Sequence, residues 1–392
     1  QMRCRAMLSD MVAGRVASAR HGRHQGNRMG NLLHDISAPD RAGPKPIQCS
    51  RAAHLAPYLA FLEEVGAPVD RELRRARLPT LVTEDPNVYL ADERARAFLR
   101  AIANREGIDD LPVRAVSHSD LWNLSATVGD AIAWSPTLYL ALKQFCRYSA
   151  VEDSALNAWI TEDETTIRVS CLNRTPLDPF SGRIEDWSQM AVVIAIIRSF
   201  VGSEWQPAEI ALHSELPISE LAAQLFPNTR LLRGRQSGSV SVPRGLLSRS
   251  VGTSGGGTLP VLTTRRDGGA LEGSPDLIST LRSVLIPYLP NGLPSIDEAA
   301  EMAQRSPRTL QRDLQRAGAS YSQVVQNVRY EHAARLLRES NDPIIHVALQ
   351  VGIEDPSHFS RGFRQSFGVT PKEYRGHQRS VDSGTSGAAR PD

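Results

Sequence analysis

The sequence predicts an α+β domain joined to an all-α domain that contains two helix-turn-helix units. Three observations support this fold class. Within residues 52–247 the hydrophobic residues change from helical spacing to alternation, which is typical of a mixed α+β domain. Residues 248–275 are rich in Gly, Ser and Thr and predict a flexible linker. Beyond the linker, residues 276–378 repeat one plan of short helix, tight turn and second helix.

The two ends of the chain differ in composition from the region between them. Residues 1–50 hold eight basic residues against three acidic ones and lack the apolar core of a signal peptide. We interpret residues 1–51 as a disordered basic tail, with a nucleic-acid-binding arm as the alternative. Residues 379–392 predict a second disordered tail. Because the formal net charge of the chain is only +2, any site for a polyanion depends on local arrangement of charge.

The N-terminal domain begins with apolar residues at helical spacing, Leu55, Leu59, Leu62 and Val65. The stretch SPTLYLALKQFCRYSAV predicts a helix with Ser135 as N-cap and Pro136 at its first position. The stretch TTIRVSCL alternates and predicts a half-buried strand, and AEIALHS predicts a short one. Between them, DWSQMAVVIAIIRSFVG is apolar on nearly all sides, which predicts a buried helix.

Helix start signals are dense in the C-terminal domain. Ser295, with Glu298 three positions later, predicts a capping box at the first helix of the first unit. Ser306–Pro307 predicts an N-cap followed by the first residue of its second helix. Leu310 and Leu314, four residues apart, are expected to face the core.

The second unit repeats this plan. Its first helix is predicted to begin at Asp342–Pro343 and to end at Gly352, and its second helix begins at Asp355–Pro356. One continuous helix is predicted over residues 320–340 between the units, roughly 30 Å long at the α-helical rise. One turn of B-DNA is roughly 34 Å, so this helix suits two units that enter successive major grooves.

Both second helices carry polar side chains opposite their apolar ridges. Because 42 of the 45 basic residues are arginine, a single exposed arginine is weak support for function and a solvated face is the alternative. The same orientation of the polar face in both units favours base contact. Arginine pairs with guanine, glutamine pairs with adenine, and short hydroxyls suit either base or phosphate.

Residues 276–375 resemble the DNA-binding domain of AraC/XylS-type bacterial transcription regulators. The matching stretches are SPRTLQRDLQRAGASYSQVVQNVRYEHAARLLRES, IIHVALQVGIEDPSHFSRGFRQSFG and GVTPKEYR. The chain departs from the usual pattern at Ile353, where the family has an aromatic residue. Residues 52–247 resemble, less strongly, a non-cupin, helix-rich effector domain found in one branch of the family. The resemblance implies a regulator that binds promoter DNA under the control of a small molecule.

Carried across by position, the resemblance implies two sets of DNA-contacting side chains. The residues expected to contact bases are Arg308, Gln311, Arg312, Ser357, His358 and Arg361. The residues expected to contact phosphate or to position the protein are Arg305, Thr309, Gln315, Arg316, Ser360 and Arg364.

An aromatic-lined effector pocket is expected around Trp122, Trp134 and Tyr148. No cofactor and no metal site is expected, because the four cysteines are widely spaced and no histidine has a partner at ligand spacing.

The expected partners are double-stranded promoter DNA, RNA polymerase, an unknown small-molecule effector and a second copy of the chain bound through residues 52–247. Activation is the expected role, with repression left open as the alternative. The expected location is the bacterial cytoplasm, in association with the nucleoid and not with a membrane. The alternatives are an enzyme like those of DNA repair that carries the same module, and a non-specific DNA-binding protein. A repair enzyme needs an activated cysteine, and Cys146 and Cys171 lack a recognisable setting.

Overall fold

The structure, a computed structural model, describes residues 44–118, 124, 126–250 and 275–377. Its helices are α1 (Ala56–Glu64), α2 (Val69–Arg75), α3 (Asp92–Glu106), α4 (Leu111–His118), α5 (Ala126–Ala133), α6 (Leu138–Glu152), α7 (Pro179–Val201), α8 (Glu220–Leu225), α9 (Leu277–Leu285), α10 (Ile296–Met302), α11 (Pro307–Arg316), α12 (Tyr321–Glu339), α13 (Ile344–Gln350) and α14 (Pro356–Phe367). Its strands are β1 (Cys49–Arg51), β2 (Tyr89–Ala91), β3 (Leu156–Glu162), β4 (Thr166–Asn173), β5 (Glu209–Ala211), β6 (Arg230–Leu232) and β7 (Gly238–Pro243).

The N-terminal domain is built around a five-stranded sheet in the order β3-β4-β7-β5-β6, in which only the β5–β6 pair is parallel. Helix α7 packs on this sheet, and its Met190, Val193 and Ile197 are fully buried. Burial on all sides explains why its sequence is apolar around the whole helix. The predicted α+β class, the two predicted strands and the buried helix are confirmed.

Helix α6 begins later than its sequence predicts. Its N-cap is Thr137, whose side chain accepts a hydrogen bond from the backbone N–H of Leu140. Ser135 is not the cap because its hydroxyl donates to the carbonyl of Ala131 in the preceding turn, at 2.8 Å. The backbone N–H of Leu138 donates to the carbonyl of Arg249, so the N-terminal domain extends past the predicted linker boundary at 248.

The N-terminal domain begins earlier in the chain than predicted, because residues 44–51 are ordered although the tail was predicted to extend to residue 51. Strand β1 pairs with β2 in an antiparallel ribbon, although Cys49–Arg51 falls within the segment interpreted as disordered. Ile47 is 1% exposed and packs with Cys49 and Tyr89 against α9 and the rest of the C-terminal domain. The partners of residues 44–51 are distant in sequence, which is why composition alone missed them. Residues 1–43, 251–274 and 378–392 lie outside the described residues.

The C-terminal domain is helical, and its helices begin where the sequence places their caps. Capping boxes start α10 at Ser295 and α12 at Ser320, and Asp355 caps α14. Asp342 is an exception, because α13 begins after Pro343 and the Asp342 carboxylate accepts from Gln350 instead. Among the described residues, no helix is long and apolar enough to cross a membrane.

Candidate nucleic-acid interface and ligand cavity

The first helix-turn-helix unit consists of α10 and α11. The hydroxyl of Ser306 caps α11 by accepting from the backbone N–H of Thr309 at 3.2 Å. Between the helices the backbone turns at Gln304, whose φ of 52° lies in the left-handed region. Leu310 and Leu314 are fully buried, which confirms the predicted orientation of α11.

The opposite face of α11 is exposed and carries the three side chains predicted to contact bases in this unit. Arg308, Gln311 and Arg312 are all exposed, and 59% of the Arg312 side chain is accessible. Of the predicted phosphate contacts on this helix, Gln315 and Arg316 are exposed and Thr309 is half-buried. The side chains on this face can therefore reach an external ligand without a change in the helix.

Arg305 does not share that face. Its side chain is only 13% exposed, and its Nη1 lies 3.3 Å from Oδ2 of Asp313. Its other terminal nitrogen donates to the carbonyl of Lys45 in the N-terminal domain. The predicted phosphate contact is thus engaged within the protein, because Asp313 and Lys45 hold this arginine beside the turn.

Asp313 holds the arginines around α11 and was not among the predicted site residues. It is nearly buried on α11, and three arginines surround its carboxylate. Besides Arg305, Nη1 of Arg316 lies 3.5 Å and Nε of Arg312 lies 3.9 Å from its Oδ1. The sequence signal for Asp313 was that it is a single acidic residue among four arginines. Its carboxylate limits their mutual repulsion and orients the exposed Arg312 and Arg316.

The second unit consists of α13 and α14, joined by a turn at Gly352 with a φ of 73°. A Cβ at this glycine would lie 2.6 Å from the backbone carbonyl oxygen of Leu289. Ile353 follows and is 4% exposed, so the residue that departs from the family pattern fills the core beside the turn. Both conformation and space therefore require glycine at position 352.

Helix α14 separates an aromatic ridge from a polar face. Phe359 and Phe363 are fully buried, and Phe363 stacks on half-buried Phe367 with ring centroids 4.7 Å apart. The polar side chains lie on the rest of the helix. Four of them are exposed, Ser357, His358, Arg361 and Arg364, and Ser360 is half-buried. The structure thus brings the second predicted set together on one short helix.

Helix α12 connects the two units. It is continuous over 19 residues, as predicted, and is therefore about 28 Å long. Val324 and Val328 pack it on the first part of the domain core, while the ring of Tyr330 lies 6.3 Å from that of Phe359 in α14. A rigid spacer of this length holds the two second helices in a fixed relation.

Comparison with known proteins identifies the family. A family profile described as the arabinose-binding domain of AraC transcription regulator, N-term, matches residues 66–251, and a profile described as a helix-turn-helix domain matches residues 299–377. The two profiles cover the domains on both sides of the linker. The chain is an AraC-type transcription regulator. Its N-terminal domain is an effector-binding domain, and its C-terminal domain is the helix-turn-helix DNA-binding domain.

Individual relatives agree with this assignment. The regulator VirS of Mycobacterium tuberculosis is 23% identical over 330 residues, which cover 83% of this chain and 96% of VirS. The ornithine utilization regulator of Pseudomonas aeruginosa is 34% identical over 99 residues, which cover 25% of this chain and 29% of that protein. The crystal structure of CdpR from Pseudomonas aeruginosa covers 82% of this chain and 98% of its own, at 17% identity. Its TM-score of 0.37 is too low for a comparison of architecture.

Of the three residues predicted to line an aromatic pocket, the structure describes Trp134 and Tyr148. The Trp134 side chain projects from the N-terminal domain of the regulator and is 84% exposed. Tyr148 is half-buried, and its ring contacts the guanidinium of Arg147. Trp122 lies outside the described residues. An exposed tryptophan cannot enclose a small molecule, so the prediction based on aromatic residues was wrong for Trp134.

The N-terminal domain instead encloses a cavity of about 70 Å³ between α1, α3, α6 and α7. Its walls are largely apolar and include Leu99, Phe145 and Val192. Its polar lining consists mainly of ionisable side chains, Arg51, His54, Asp92, Arg96, Glu152, Asp153 and Glu185. Such a concave, mainly apolar site with a few convergent polar groups is typical of small-molecule binding.

Burial changes the ionisation of the cavity carboxyl groups. It raises the pKa of Glu185 to about 7, and the negative charge of Asp92 adds to the rise while Arg96 opposes it. Burial likewise raises the pKa of Asp92 and of Asp153. The raised pKa values mean that the cations in the lining do not stabilise all of its carboxyl groups in ionised form. Within the described residues, no three His, Cys, Asp or Glu side chains are placed to hold a metal ion.

The first turn of α3 joins this cavity to the DNA-binding domain. Asp92 lines the cavity, and the next residue, Glu93, accepts a hydrogen bond from Nε2 of Gln304 at 2.5 Å. Arg94 donates to the hydroxyl of Tyr288 at 3.1 Å. Arg96 lies between the two sites, with its Nη1 3.4 Å from Glu185 and its Nη2 3.8 Å from Glu93. Four residues of one helix thus contact either the cavity or the DNA-binding domain.

The three cysteines among the described residues lack the features of a catalytic thiol. Cys49 and Cys171 are buried, and burial raises the pKa of both. Cys146 is half-buried, and burial raises its pKa to about 11. At neutral pH these thiols are protonated and therefore poor nucleophiles. This chemistry gives no support to an alkyl-transfer enzyme.

Proposed function

We propose that this AraC-type regulator contacts bases through α11 and α14, which enter two successive segments of the major groove. Arg308, Gln311 and Arg312 are the base contacts of the first helix. Ser357, His358 and Arg361 are those of the second helix. The phosphate contacts on α11 are Thr309, Gln315 and Arg316, and those on α14 are Ser360 and Arg364. Arg305 is left out, because Asp313 and Lys45 hold it within the protein.

One observation carries this proposal. Each second helix buries two apolar side chains, Leu310 and Leu314 in α11 and Phe359 and Phe363 in α14. It leaves its arginines exposed together with a base-compatible amide, hydroxyl or imidazole group. Groups of this kind distinguish base pairs in the major groove by hydrogen bonds to base edges, whereas a merely soluble helix face needs no such selection. The spacing by α12, about 28 Å, is close to one turn of B-DNA, roughly 34 Å.

Replacing Arg312 by alanine tests the proposal for the first unit. We expect a loss of about 1–3 kcal/mol in binding to the cognate site and a much smaller loss on random duplex, because Arg312 is assigned to a guanine edge. Fluorescence anisotropy on both DNAs at fixed salt measures this difference.

Arg316→Ala is the matched control, because Arg316 lies on the same helix, is 63% exposed and pairs with the same aspartate. It is expected to weaken cognate and random DNA equally, as loss of a phosphate contact does. If Arg312→Ala shows the same uniform loss, Arg312 only neutralises phosphate. Binding that falls with salt but does not vary with sequence in the wild type would favour the non-specific alternative.

Effector control is assigned to the cavity beneath α3. A ligand there contacts Asp92 and Arg96, and the adjacent Glu93 holds the left-handed turn residue Gln304 of the first unit. A shift in the first turn of α3 is therefore transmitted to the turn that orients α11. Gln304→Ala removes the link without touching the cavity, so DNA affinity in this variant should no longer respond to the effector.

Self-association is assigned to the N-terminal domain, through the surface around Trp134. This side chain is 84% exposed, and Leu140, six residues later, is 42% exposed, which is unusual for large apolar side chains. Sedimentation at binding concentrations should show a dimer for the wild type and a monomer for Trp134→Glu. A dimeric variant would remove this surface from the interface.

The contact with RNA polymerase is assigned to α13. The regulator is expected to act in the bacterial cytoplasm, on the nucleoid. Ile345 and Leu349 are four residues apart, and nearly half of each side chain is exposed beside the DNA-contacting helix. Activation in a purified transcription reaction should fall in Leu349→Ser while DNA binding persists. Equal activation by this variant would exclude the assignment.

A further inference from the structure

The cavity has an unbalanced charge. Among the described residues its lining contains four carboxyl groups, from Asp92, Glu152, Asp153 and Glu185, but two arginines and one histidine. His54 and Glu152 account for each other, with 3.5 Å between Nε2 and Oε2. The remaining three carboxyl groups share two arginines, so ionising all three requires a further cation.

Two buried polar groups in the lining lack ordinary partners among the described residues. Gln189 is 7% exposed, and its amide nitrogen donates no hydrogen bond. Asp92 is 3% exposed, and neither of its carboxylate oxygens has a hydrogen bond of ordinary geometry. Arg96 lies 3.9 Å from Asp92, and together with Ser50 it only partly offsets the effect of burial. Because buried polar groups are almost always satisfied, these atoms indicate a missing donor and a missing acceptor.

Geometry limits the size and shape of what fits. Glu185 and Gln189 lie four residues apart on α7 and therefore share one face of that helix. The cavity volume of about 70 Å³ has room for about five water molecules. Leu99 and Phe145 supply apolar walls between the polar groups. A molecule of five to seven non-hydrogen atoms, by the same rough measure, fills this space.

We propose that the effector is a small organic cation with a short apolar segment and a hydrogen-bond acceptor. Its ammonium group binds at the Asp92 carboxylate, neither of whose oxygens has a hydrogen bond of ordinary geometry, and its acceptor receives the amide N–H of Gln189. Nη1 of Arg96 is closer to Glu185, at 3.4 Å, than to Asp92, at 3.9 Å. This inference rests on the proposed effector cavity and adds the chemical class of the ligand. The cation restores the charge balance, and the apolar segment lies against the leucine and phenylalanine walls.

Three compounds of equal length separate the possible classes: the cation 4-amino-1-butanol, the neutral 1,4-butanediol and the anion 4-hydroxybutanoate. The full chain is melted with each at 10 mM, at pH 8 and constant ionic strength, where Glu185 is ionised. We expect only the cation to raise Tm, by about 2 °C for a millimolar Kd. A rise with the anion alone would assign the cavity to Arg51 and Arg96 and overturn the proposal, as would equal rises or none.

Variants locate the effect. Asp92→Asn combined with Glu185→Gln should abolish the rise, whereas Glu162→Gln, at an exposed carboxylate outside the cavity, should keep it. Gln189→Leu should retain binding of the cation but lose the advantage of 4-amino-1-butanol over n-butylamine, which has no acceptor. A cation effect that survives the double variant would overturn both the ligand class and the cavity assignment. Failure of the ligand class alone leaves the Arg312→Ala result on DNA unaffected, because that measurement uses no effector.

Discussion

Replacing Gly352 by alanine is expected to destabilise the second helix-turn-helix unit, because both the backbone conformation and the space at this turn require glycine. The φ of 73° alone costs about 1–3 kcal/mol for a residue with a side chain. The added Cβ would also lie 2.6 Å from the carbonyl oxygen of Leu289, a backbone atom that cannot rotate away. Urea denaturation followed by circular dichroism should show a lower free energy of unfolding, and DNA selected by α14 should lose its affinity advantage.

Gly318→Ala is the control that separates strain from the clash. Gly318 has a φ of 80° and follows α11, but a Cβ there would meet nothing within 4 Å. The free energy of unfolding of Gly318→Ala should therefore fall only by the cost of the backbone conformation. If the two variants unfold at the same urea concentration, the contact with Leu289 does not constrain the turn.

Phe363→Ala should cost about 3–5 kcal/mol, as expected for a fully buried phenylalanine. Its ring lies at the centre of an aromatic cluster, 5.9 Å from Phe359, 5.5 Å from Tyr374 and 4.7 Å from Phe367. Removing it opens a cavity beneath the polar face of α14 and loosens the positions of His358 and Arg361. Chemical denaturation measures the loss, and hydrogen exchange should place it in the second unit.

Phe367→Ala is the comparison for this prediction, because Phe367 belongs to the same cluster but is only half-buried. It should cost clearly less than Phe363→Ala. Equal costs would mean that the cluster can repack around a missing central ring. The first unit should keep its affinity for its own half of the DNA site in both variants.

The DNA-binding domain was predictable because its signals are local. A cap such as Ser306 satisfies a backbone N–H three residues away, and Leu310 and Leu314 report one helix face by their spacing. These interactions join residues three or four positions apart, so the sequence indicates both the start of the helix and its orientation. The positions of Arg308 and Arg312 follow from the same geometry.

Arg305 shows where local reasoning ends. Its spacing places it in line with Arg308, Arg312 and Arg316, but its side chain donates to the carbonyl of Lys45, which lies 260 residues earlier in the chain. The cavity that we propose for the effector was missed for the same reason. Its residues come from α1, α3, α6 and α7, and Glu185 and Asp92 meet only in the folded domain. Aromatic composition pointed to Trp134, whose exposure depends on packing that periodicity does not encode.

The most direct test of two base-contacting helices is selection of binding sites from random duplex DNA by the full-length chain at near-physiological salt. The wild type should enrich a bipartite motif with two short blocks about one helical turn apart. Arg312→Ala should lose one block, and Arg361→Ala should lose the other. A motif with a single block, or two blocks that survive both substitutions, would contradict the assignment of α11 and α14 as recognition helices.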